Sequence, residues 1–267
     1  YKLLALLFLT TITHTVRADE PHYSARLVFP LNDQHNHAPG IVECPSGEFL
    51  VSWYRGSGER TADDVQVLGA RLRPGKDDYN EPFLMADFPG FPDCNTCMMI
   101  DPQQRLWLFW PLVISNDWGS CLTCYRISTD YESDGPPNWN WQGVIPLIPL
   151  NFKEAMLTAL DKRIEETENP PPQAKLFAKF IREKVEDKLA SRLGWQPRCK
   201  PIVLPSGRIV LPLYSDTYSV SVMALSDDDG QTWFCSEPLA GFGNIQPAVL
   251  RRDDGTLVAY MRENGPL

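Results

Sequence analysis

The stretch SDDDGQTW, from Ser226 to Trp233, is a polar turn that decides how the rest of this sequence is interpreted. The carboxylate of Asp228 can accept backbone N–H bonds across such a turn, and Gly230 can adopt a positive φ that other residues avoid. Trp233 adds a large apolar side chain that can pack between neighbouring sheets. This spacing predicts a folding element, so Asp228 is not a catalytic candidate.

The same β-hairpin recurs along the chain on both sides of this turn: an apolar strand, a turn of Gly or polar residues, and a second apolar strand with an aromatic residue near its end. The copies are Ile41–Trp53, Met98–Trp110, Pro201–Tyr214 and Pro247–Arg262. A further strand is predicted after three of them, at Val65–Leu72, Leu122–Ser128 and Val220–Ser226. Repeats of roughly 45 to 60 residues with three or four strands are typical of β-propeller blades. A β-sandwich is the alternative, but it does not require one hairpin to recur with the same turn chemistry.

Residues 151–195 depart from the repeat and form a charged segment rich in Ala, Leu, Lys and Glu. Two helices are predicted there, Lys153–Glu168 and Gln173–Leu193, separated by three prolines at 170–172. The segment is therefore a helical insertion between the second and third hairpins. It either packs on the edge of the propeller or serves as a lid over the site.

The Ser226–Trp233 turn matches the Asp-box pattern Ser-x-Asp-x-Gly-x-Thr-Trp at every defined position. With that box in a blade repeat, the chain resembles the sialidase (neuraminidase) superfamily, specifically its bacterial BNR-repeat branch. The resemblance covers roughly residues 32–267 apart from the insertion, and is strongest at 35–39, 200–233 and 243–264. It implies an all-β, six-bladed β-propeller, of which residues 19–150 and 196–267 would hold about four blades.

The resemblance also implies a site for acidic sugars. Sialidases bind the sugar carboxylate with an arginine triad, use an Asp as acid/base, and use a Tyr assisted by a Glu as nucleophile. The first triad position corresponds here to His37, before Ala38-Pro39, and the acid/base position corresponds to Asp63-Asp64. Arg262 is a candidate triad member. The nucleophile and the last arginine are expected in blades beyond Leu267.

In a propeller, the ends of the innermost strands line a central channel, so equivalent ends of successive hairpins should converge there. The candidate lining residues are His35, His37, Asn95, Lys200 and Gln246 before the hairpins, and Arg55, Glu59, Tyr214, Asp216 and Arg262 after them. We expect Asp64 and Asp63, with His37 and Tyr214, to be catalytic and the other members to bind substrate.

Three functions remain open for this site. The first is an exo-sialidase-type glycoside hydrolase that acts on terminal acidic sugars, with Asp64 as acid/base. The second is a polysaccharide lyase on uronic-acid polymers, with His37 or Tyr214 as base and Arg262 neutralising the carboxylate. The third is a propeller that binds carbohydrate without turnover. The partner in each case is a glycan or acidic sugar, and no cofactor is predicted.

Charge and the N-terminal residues bear on partners and location. A net charge of −9 and a pI near 5.0 argue against nucleic-acid binding, which normally requires a basic face. Residues 1–18 have the Lys, short apolar run and small final residue of a signal peptide, and the run is about half the ~20 residues of a membrane span. We therefore expect a secreted or periplasmic protein with no membrane span after signal cleavage.

The seven cysteines include two Cys-x-x-Cys pairs, Cys94/Cys97 and Cys121/Cys124. Such pairs suggest a zinc site, but both lie at or near predicted strands, and an exported protein meets oxidising conditions. Disulfides or buried thiols are favoured over zinc. His35 and His37 could also be metal ligands, although no third ligand is evident and no metal is predicted.

Overall fold

The computed structural model describes residues 23–264, and the predicted signal peptide lies outside that range. Most of the regular structure is antiparallel β-sheet. The first sheet, in the order β1-β2-β3-β4, contains β1 His35–Glu43, β2 Phe49–Gly56, β3 Gln66–Leu72 and β4 Phe83–Ala86. The second, in the order β5-β6-β7-β8, contains β5 Cys97–Ile100, β6 Leu106–Val113, β7 Cys121–Ser128 and β8 Trp141–Ile145.

The third and fourth sheets follow the helical insertion. The third has the order β10-β11-β12-β13, with β9 also paired to β11, and contains β9 Gln196–Pro197, β10 Ile202–Val203, β11 Ile209–Ser215, β12 Val220–Ser226 and β13 Phe234–Cys235. The fourth contains β14 Asn244–Arg251 and β15 Leu257–Glu263. Each predicted hairpin is present as an antiparallel pair, and each predicted third strand is present as β3, β7 or β12. The predicted propeller architecture is confirmed.

Apolar side chains fill the space between successive sheets. Between the first and second sheets, Leu50 and Met85 share one buried cluster with Met98 and Trp110. A larger cluster lies between the second and third sheets and includes Trp107. Sheets of a propeller are buried on both faces, which explains why β6 and β11 are apolar along almost their whole length.

The Asp-box turn has the geometry that its sequence predicts. Asp228 accepts hydrogen bonds from the backbone N–H of Thr232 at 2.8 Å and from the hydroxyl of Ser226 at 2.9 Å. Gly230 has a φ of +84°, and its Cα faces the ring of Trp107 in the second sheet. The ring of Trp233 packs edge-on against Phe109, also in the second sheet. The turn therefore fastens the third sheet to the second.

The insertion forms three helices, α1 Phe152–Glu166, α2 Pro172–Lys184 and α3 Lys188–Arg192. The second predicted helix is thus divided, because the side chain of Asp187 caps a new helix by accepting from the N–H groups of Leu189 and Ala190. Phe152 packs edge-on against the rings of Trp195 and Tyr218. The insertion is consequently part of the core between the second and third sheets.

None of the helices between residues 23 and 264 is long and apolar enough to cross a membrane. All seven cysteines are free thiols, of which Cys199 is half-buried and the other six are buried. Within the same range, no group of three or more His, Cys, Asp or Glu side chains is arranged to hold a metal ion. Of the options predicted for the cysteines, the structure has the buried thiols.

Candidate functional site

Polar side chains meet where the first strands of the sheets begin. Hydrogen bonds, ring contacts and charge interactions link twelve of them, which we call the central cluster: His35, His37, Tyr54, Glu59, Arg60, Asn95, Gln196, Arg198, Tyr214, Asp216, Gln246 and Arg262. The hydroxyl of Thr96 donates to the carbonyl of Ala38 at 3.3 Å, and the hydroxyl oxygens of Thr96 and Ser52 lie 2.7 Å apart. The first and second sheets therefore approach closely at this point.

A left-handed residue stands at the start of three of these strands. Ala38, Asn95 and Gln246 have φ values of +55°, +34° and +55°. The pairing of β1 with β2 shifts register between His37 and Gly40, and that of β14 with β15 shifts between Ile245 and Ala248. Bulges of this kind re-aim side chains, and unusual φ values concentrate at functional sites. The strand starts are therefore specialised in the same way in three sheets.

Asn95 is the hub of the cluster and is buried. Its Nδ2 donates to Oε1 of Gln196 at 2.8 Å and to the hydroxyl of Tyr214 at 3.2 Å. Its Oδ1 accepts from Nη1 of Arg198 at 3.3 Å. Tyr214 is itself buried, burial raises the pKa of its phenol, and its hydroxyl lies 3.4 Å from Oε1 of Gln196.

Asp216 is the half-buried carboxyl group of the cluster. Its Oδ2 accepts from Nε2 of Gln196 at 3.0 Å. Burial raises the pKa of Asp216, against the hydrogen bond from Gln196 and the positive charges of Arg262 and Arg60. A carboxyl group that retains its proton more readily than usual, with cations beside it, is suited to act as a general acid.

Glu59 is held by Tyr54, which in turn contacts His35. The hydroxyl of Tyr54 donates to Oε1 of Glu59 at 2.6 Å and lies 3.3 Å from Nε2 of His35. Burial is the main cause that raises the pKa of Tyr54, and the bond to Glu59 adds to it. Nη1 of Arg60 lies 3.4 Å from the other oxygen of Glu59. The carboxylate is thus restrained at both oxygens.

His37 is largely exposed, and its ring meets Tyr54 edge-on at 5.8 Å between centroids. Partial burial lowers the pKa of His37, and the positive charge of Arg198 lowers it further. The imidazole is therefore mainly neutral at pH 7, so it does not reproduce the permanent charge of an arginine at this position.

The loop between β2 and β3 brings Glu59 and Arg60 into the cluster but leaves Asp63 and Asp64 outside it. Asp64 is exposed and accepts from the N–H and hydroxyl of Ser57, at 3.0 Å and 2.9 Å to Oδ1. These bonds lower the pKa of Asp64, with the backbone N–H of Ser57 as the main cause. Asp63 accepts from Nδ2 of Asn116 at 2.8 Å. Both carboxylates accept hydrogen bonds that hold the loop in place, and the lowered pKa of Asp64 makes it poorly suited to give up a proton.

Two more predicted residues lie elsewhere. Arg55 donates to Oδ1 of Asn36 at 2.7 Å, and its guanidinium lies 4.5 Å from the ring of Phe29, on the face of the first sheet that points away from the second. Lys200 lines a separate cavity of about 750 Å³ beside Glu43 and Asp101. The remaining predicted members, namely His35, His37, Glu59, Asn95, Tyr214, Asp216, Gln246 and Arg262, do belong to the cluster.

Four cluster members were not predicted from the sequence: Tyr54, Arg60, Gln196 and Arg198. Tyr54 directly follows Trp53, where the predicted hairpin ends, so extending the hairpin by one residue would have found it. Gln196 and Arg198 come just before Lys200, but the short strand β9 that places them pairs with β11 over only two residues. A strand of two residues is too short to produce a periodic pattern of apolar residues.

Comparison with known proteins agrees with this architecture. Residues 195–266 match the family described as a BNR repeat-like domain. No curated protein matches the chain.

Solved structures match most of the chain at low identity. A protein of unknown function from Dyadobacter fermentans matches with a TM-score of 0.60 and 16% identity over 89% of this chain and 65% of its own. The leech intramolecular trans-sialidase, in complex with 2,7-anhydro-Neu5Ac, matches with a TM-score of 0.60 and 12% identity over 91% of this chain and 50% of its own. The NanB sialidase of Streptococcus pneumoniae matches with a TM-score of 0.57 and 10% identity over 89% of this chain and 50% of its own.

These matches, with the four sheets, show that the chain has the β-propeller fold of the sialidase structures and that residues 195–266 resemble a BNR repeat-like domain. The chain spans 65% or less of the length of each of the three structures just described. Identities of 10% to 16% establish a shared fold, and activity has to be argued from the site itself.

Proposed function

We propose that the protein is an exported, sialidase-like glycoside hydrolase that acts on terminal acidic sugars of glycans. The observation that carries the proposal is the placement of the half-buried Asp216 carboxyl group, with its raised pKa, beside Glu59 and the charges of Arg60 and Arg262. Two carboxyl groups next to a cationic surface provide both the proton transfers and the anion recognition that such a reaction requires.

Recognition of the sugar carboxylate is assigned to Arg198 and Arg262. Arg198 lies close enough to His37 to lower its pKa, so a cation supplied by the third sheet lies next to the position where the family resemblance expects an arginine. A guanidinium remains charged at all physiological pH values and can bind a carboxylate through two parallel N–H bonds. His37 adds a hydrogen bond to the sugar.

Catalysis is assigned to the two carboxyl groups. Asp216 protonates the departing glycosidic oxygen, because burial raises its pKa and so favours its protonated form. Glu59, whose Oε1 is fixed by Tyr54, is the second carboxylate, which activates water or stabilises the positive charge on the sugar ring. Asp63 and Asp64 stabilise the loop that carries Glu59 through the hydrogen bonds they accept.

The experiment is a side-by-side assay of the purified protein on a fluorogenic sialoside and on a uronic-acid polymer. Fluorophore release from the sialoside supports the proposal. An ultraviolet-absorbing product from the polymer alone would overturn it in favour of a lyase, for which the neutral ring of His37 would be a suitable base. Binding of both ligands without any product would identify a carbohydrate-binding propeller.

A further inference from the structure

Three side chains of the first sheet and its loop form a continuous hydrogen-bonded row. Nε2 of His35 lies 3.3 Å from the hydroxyl oxygen of Tyr54, which lies 2.6 Å from Oε1 of Glu59. Tyr54 is fully buried, and its ring stacks on that of His35 with centroids 5.6 Å apart. His35 is exposed, so the row leads from the surface to the Glu59 carboxylate.

The row has only one consistent direction when Glu59 is ionised. A tyrosine hydroxyl has a single proton, and an ionised carboxylate can only accept. In the short bond of 2.6 Å, the hydroxyl of Tyr54 therefore donates its proton to Glu59. The remaining contact then requires His35 to donate from Nε2, because two acceptors facing each other would repel. His35 must accordingly have its proton on Nε2, as the neutral tautomer or as imidazolium.

We propose that His35 and Tyr54 are positioning residues for Glu59, acting through the directed chain Nε2–H to Oη–H to Oε1. The inference rests on the proposed function, in which Glu59 is the second catalytic carboxylate. Neither residue needs to touch the sugar for this role. Tyr54 fixes the rotamer of Glu59, and His35 prevents the hydroxyl of Tyr54 from turning away from it.

The surroundings of the row fit this role. The other oxygen of Glu59 faces Arg60, whose guanidinium lies 5.4 Å from the ring of Trp118. The ring of His37 lies 5.9 Å from that of His35. Arg198 is a further positive charge near Tyr54. If His35 instead placed its only proton on Nδ1, its bare Nε2 would compete with Glu59 for the proton of Tyr54, and the carboxylate would lose its support.

Substitutions of His35 separate a directed hydrogen bond from a packing role. The amide nitrogen of a glutamine can still donate toward Tyr54, whereas a leucine fills space without donating. We expect His35→Leu and Tyr54→Phe to lower kcat on the sialoside at least tenfold while KM changes less than about threefold. We expect His35→Gln to recover most of the loss caused by His35→Leu. Equal losses for the glutamine and leucine variants, or an unchanged kcat for Tyr54→Phe, would overturn the proposal. Thermal unfolding of each variant controls for misfolding of the buried site.

A second measurement does not depend on turnover. Nitrogen-15 NMR of the histidine rings assigns the protonated nitrogen of His35 directly. We expect a protonated Nε2 in the wild type at neutral pH, and loss of its hydrogen bond in Tyr54→Phe. An Nδ1–H tautomer with a bare Nε2 would overturn the proposal. If the wild type hydrolyses no sialoside, the proposed function fails, while the NMR result still decides whether the directed row exists.

Discussion

Nη1 of Arg198 donates to Oδ1 of Asn95 at 3.3 Å, so a cation that follows β9 is fixed by a left-handed residue that precedes β5. The bond crosses the boundary between the second and third sheets. Because Asn95 also donates to Gln196 and Tyr214, the direction of the Arg198 side chain depends on a hydrogen-bonded network that joins the second and third sheets. Such support is what a charged group needs to act as a precise anion receptor.

Replacing Arg198 by glutamine should weaken substrate binding more than it slows catalysis. The change removes a permanent charge from the proposed site of the sugar carboxylate, and hydrogen bonds to charged groups contribute about 1.5–3 kcal/mol. We expect KM for a sialoside to rise roughly 10- to 100-fold with a smaller change in kcat. Lys200→Gln is the matched control, since Lys200 lines the separate 750 Å³ cavity, and its KM should stay near the wild-type value. Similar increases in both variants would indicate a general charge effect.

Replacing Asp216 by asparagine should abolish most of the turnover while leaving binding intact. The amide keeps the shape and can accept from Gln196, but it cannot protonate a leaving group. Removing a general acid typically costs 10²- to 10⁴-fold in rate. We expect a loss of about that size in kcat, measured on the fluorogenic sialoside, and affinity for a non-cleavable sialic acid analogue within a few-fold of the wild type.

Asp64→Asn is the informative comparison for that variant. Asp64 accepts its bonds from Ser57 outside the central cluster, so its loss should affect the loop more than the chemistry. We expect a small decrease in Tm and a kcat within about fivefold of the wild type, since surface changes are usually mild. A larger loss for Asp64→Asn than for Asp216→Asn would return the acid/base role to Asp64.

Replacing Gly230 by alanine tests whether the Asp box stabilises the packing of two sheets. The glycine has a φ of +84°, and an added Cβ would collide with the buried ring of Trp107. A left-handed alanine costs roughly 1–2 kcal/mol, and overpacking adds about 1–3 kcal/mol. We expect a marked decrease in Tm, measured by thermal unfolding.

Gly207→Ala separates these two costs. Gly207 has a similar φ of +88° in a hairpin turn, but a Cβ there would meet nothing within 4 Å. Its substitution should cost only the conformational part, about 1–2 kcal/mol. Equal destabilisation of both variants would mean that contact between Gly230 and Trp107 contributes nothing.

Asp93 should make the stability of the protein depend on pH. Burial raises the pKa of Asp93 to about 7, although its two oxygens accept from Trp110 Nε1 and from the N–H of Phe88 at 2.6 Å each. A carboxyl group with a higher pKa in the folded than in the unfolded state stabilises the fold below the unfolded value, near 4. That stabilisation is lost as the pH rises through about 7.

Asp93→Asn should remove this dependence. The asparagine cannot ionise, but its amide has a single oxygen, so one of the two hydrogen bonds that Asp93 accepts is lost. The Tm of the variant should therefore be lower than that of the wild type in acid and closer to it at pH 8. The measurement is Tm against pH from 4 to 8, with the exposed Asp33→Asn as control. A wild-type curve parallel to that of Asp93→Asn would contradict the assignment.

The sequence predicted the sheets well and the site less completely, for different physical reasons. A hairpin is a local structure, so turn residues such as Gly207 and Gly230 and the apolar strands around them identify it without knowledge of the rest of the fold. The division between α2 and α3 was missed because a single cap at Asp187 decides it. The periodicity of apolar residues carries no information about a hydrogen bond made by a single side chain.

The site depends on which way individual side chains turn. Glu59 and Asp64 lie five residues apart on one loop, and both are carboxylates. Glu59 reaches the cluster because Tyr54 donates to it, while Asp64 folds back onto Ser57. The family resemblance pointed to this loop and to Asp64 as the acid/base, and that role stays a prediction, whereas the carboxylate that the structure brings into the cluster is Glu59. Contacts between residues as distant as Asn95 and Arg198 exist only once two sheets have packed.

The left-handed residues at the starts of β1, β5 and β14 have a consequence for protein engineering. Ala38, Asn95 and Gln246 occupy comparable backbone conformations yet carry a methyl group, a short amide and a long amide. The same local conformation thus serves different surroundings, because Ala38 is fully buried in an apolar cluster whereas Asn95 is buried in a hydrogen-bonded network. Gln246 is the one of the three that is partly exposed, so it is the position at which the site can be changed with least disturbance of the packing, and asparagine, which tolerates this conformation best among non-glycine residues, is the natural first choice there. A small library at position 246 would sample new ligand preferences while Ala38 and Asn95 keep their contacts with the neighbouring sheets.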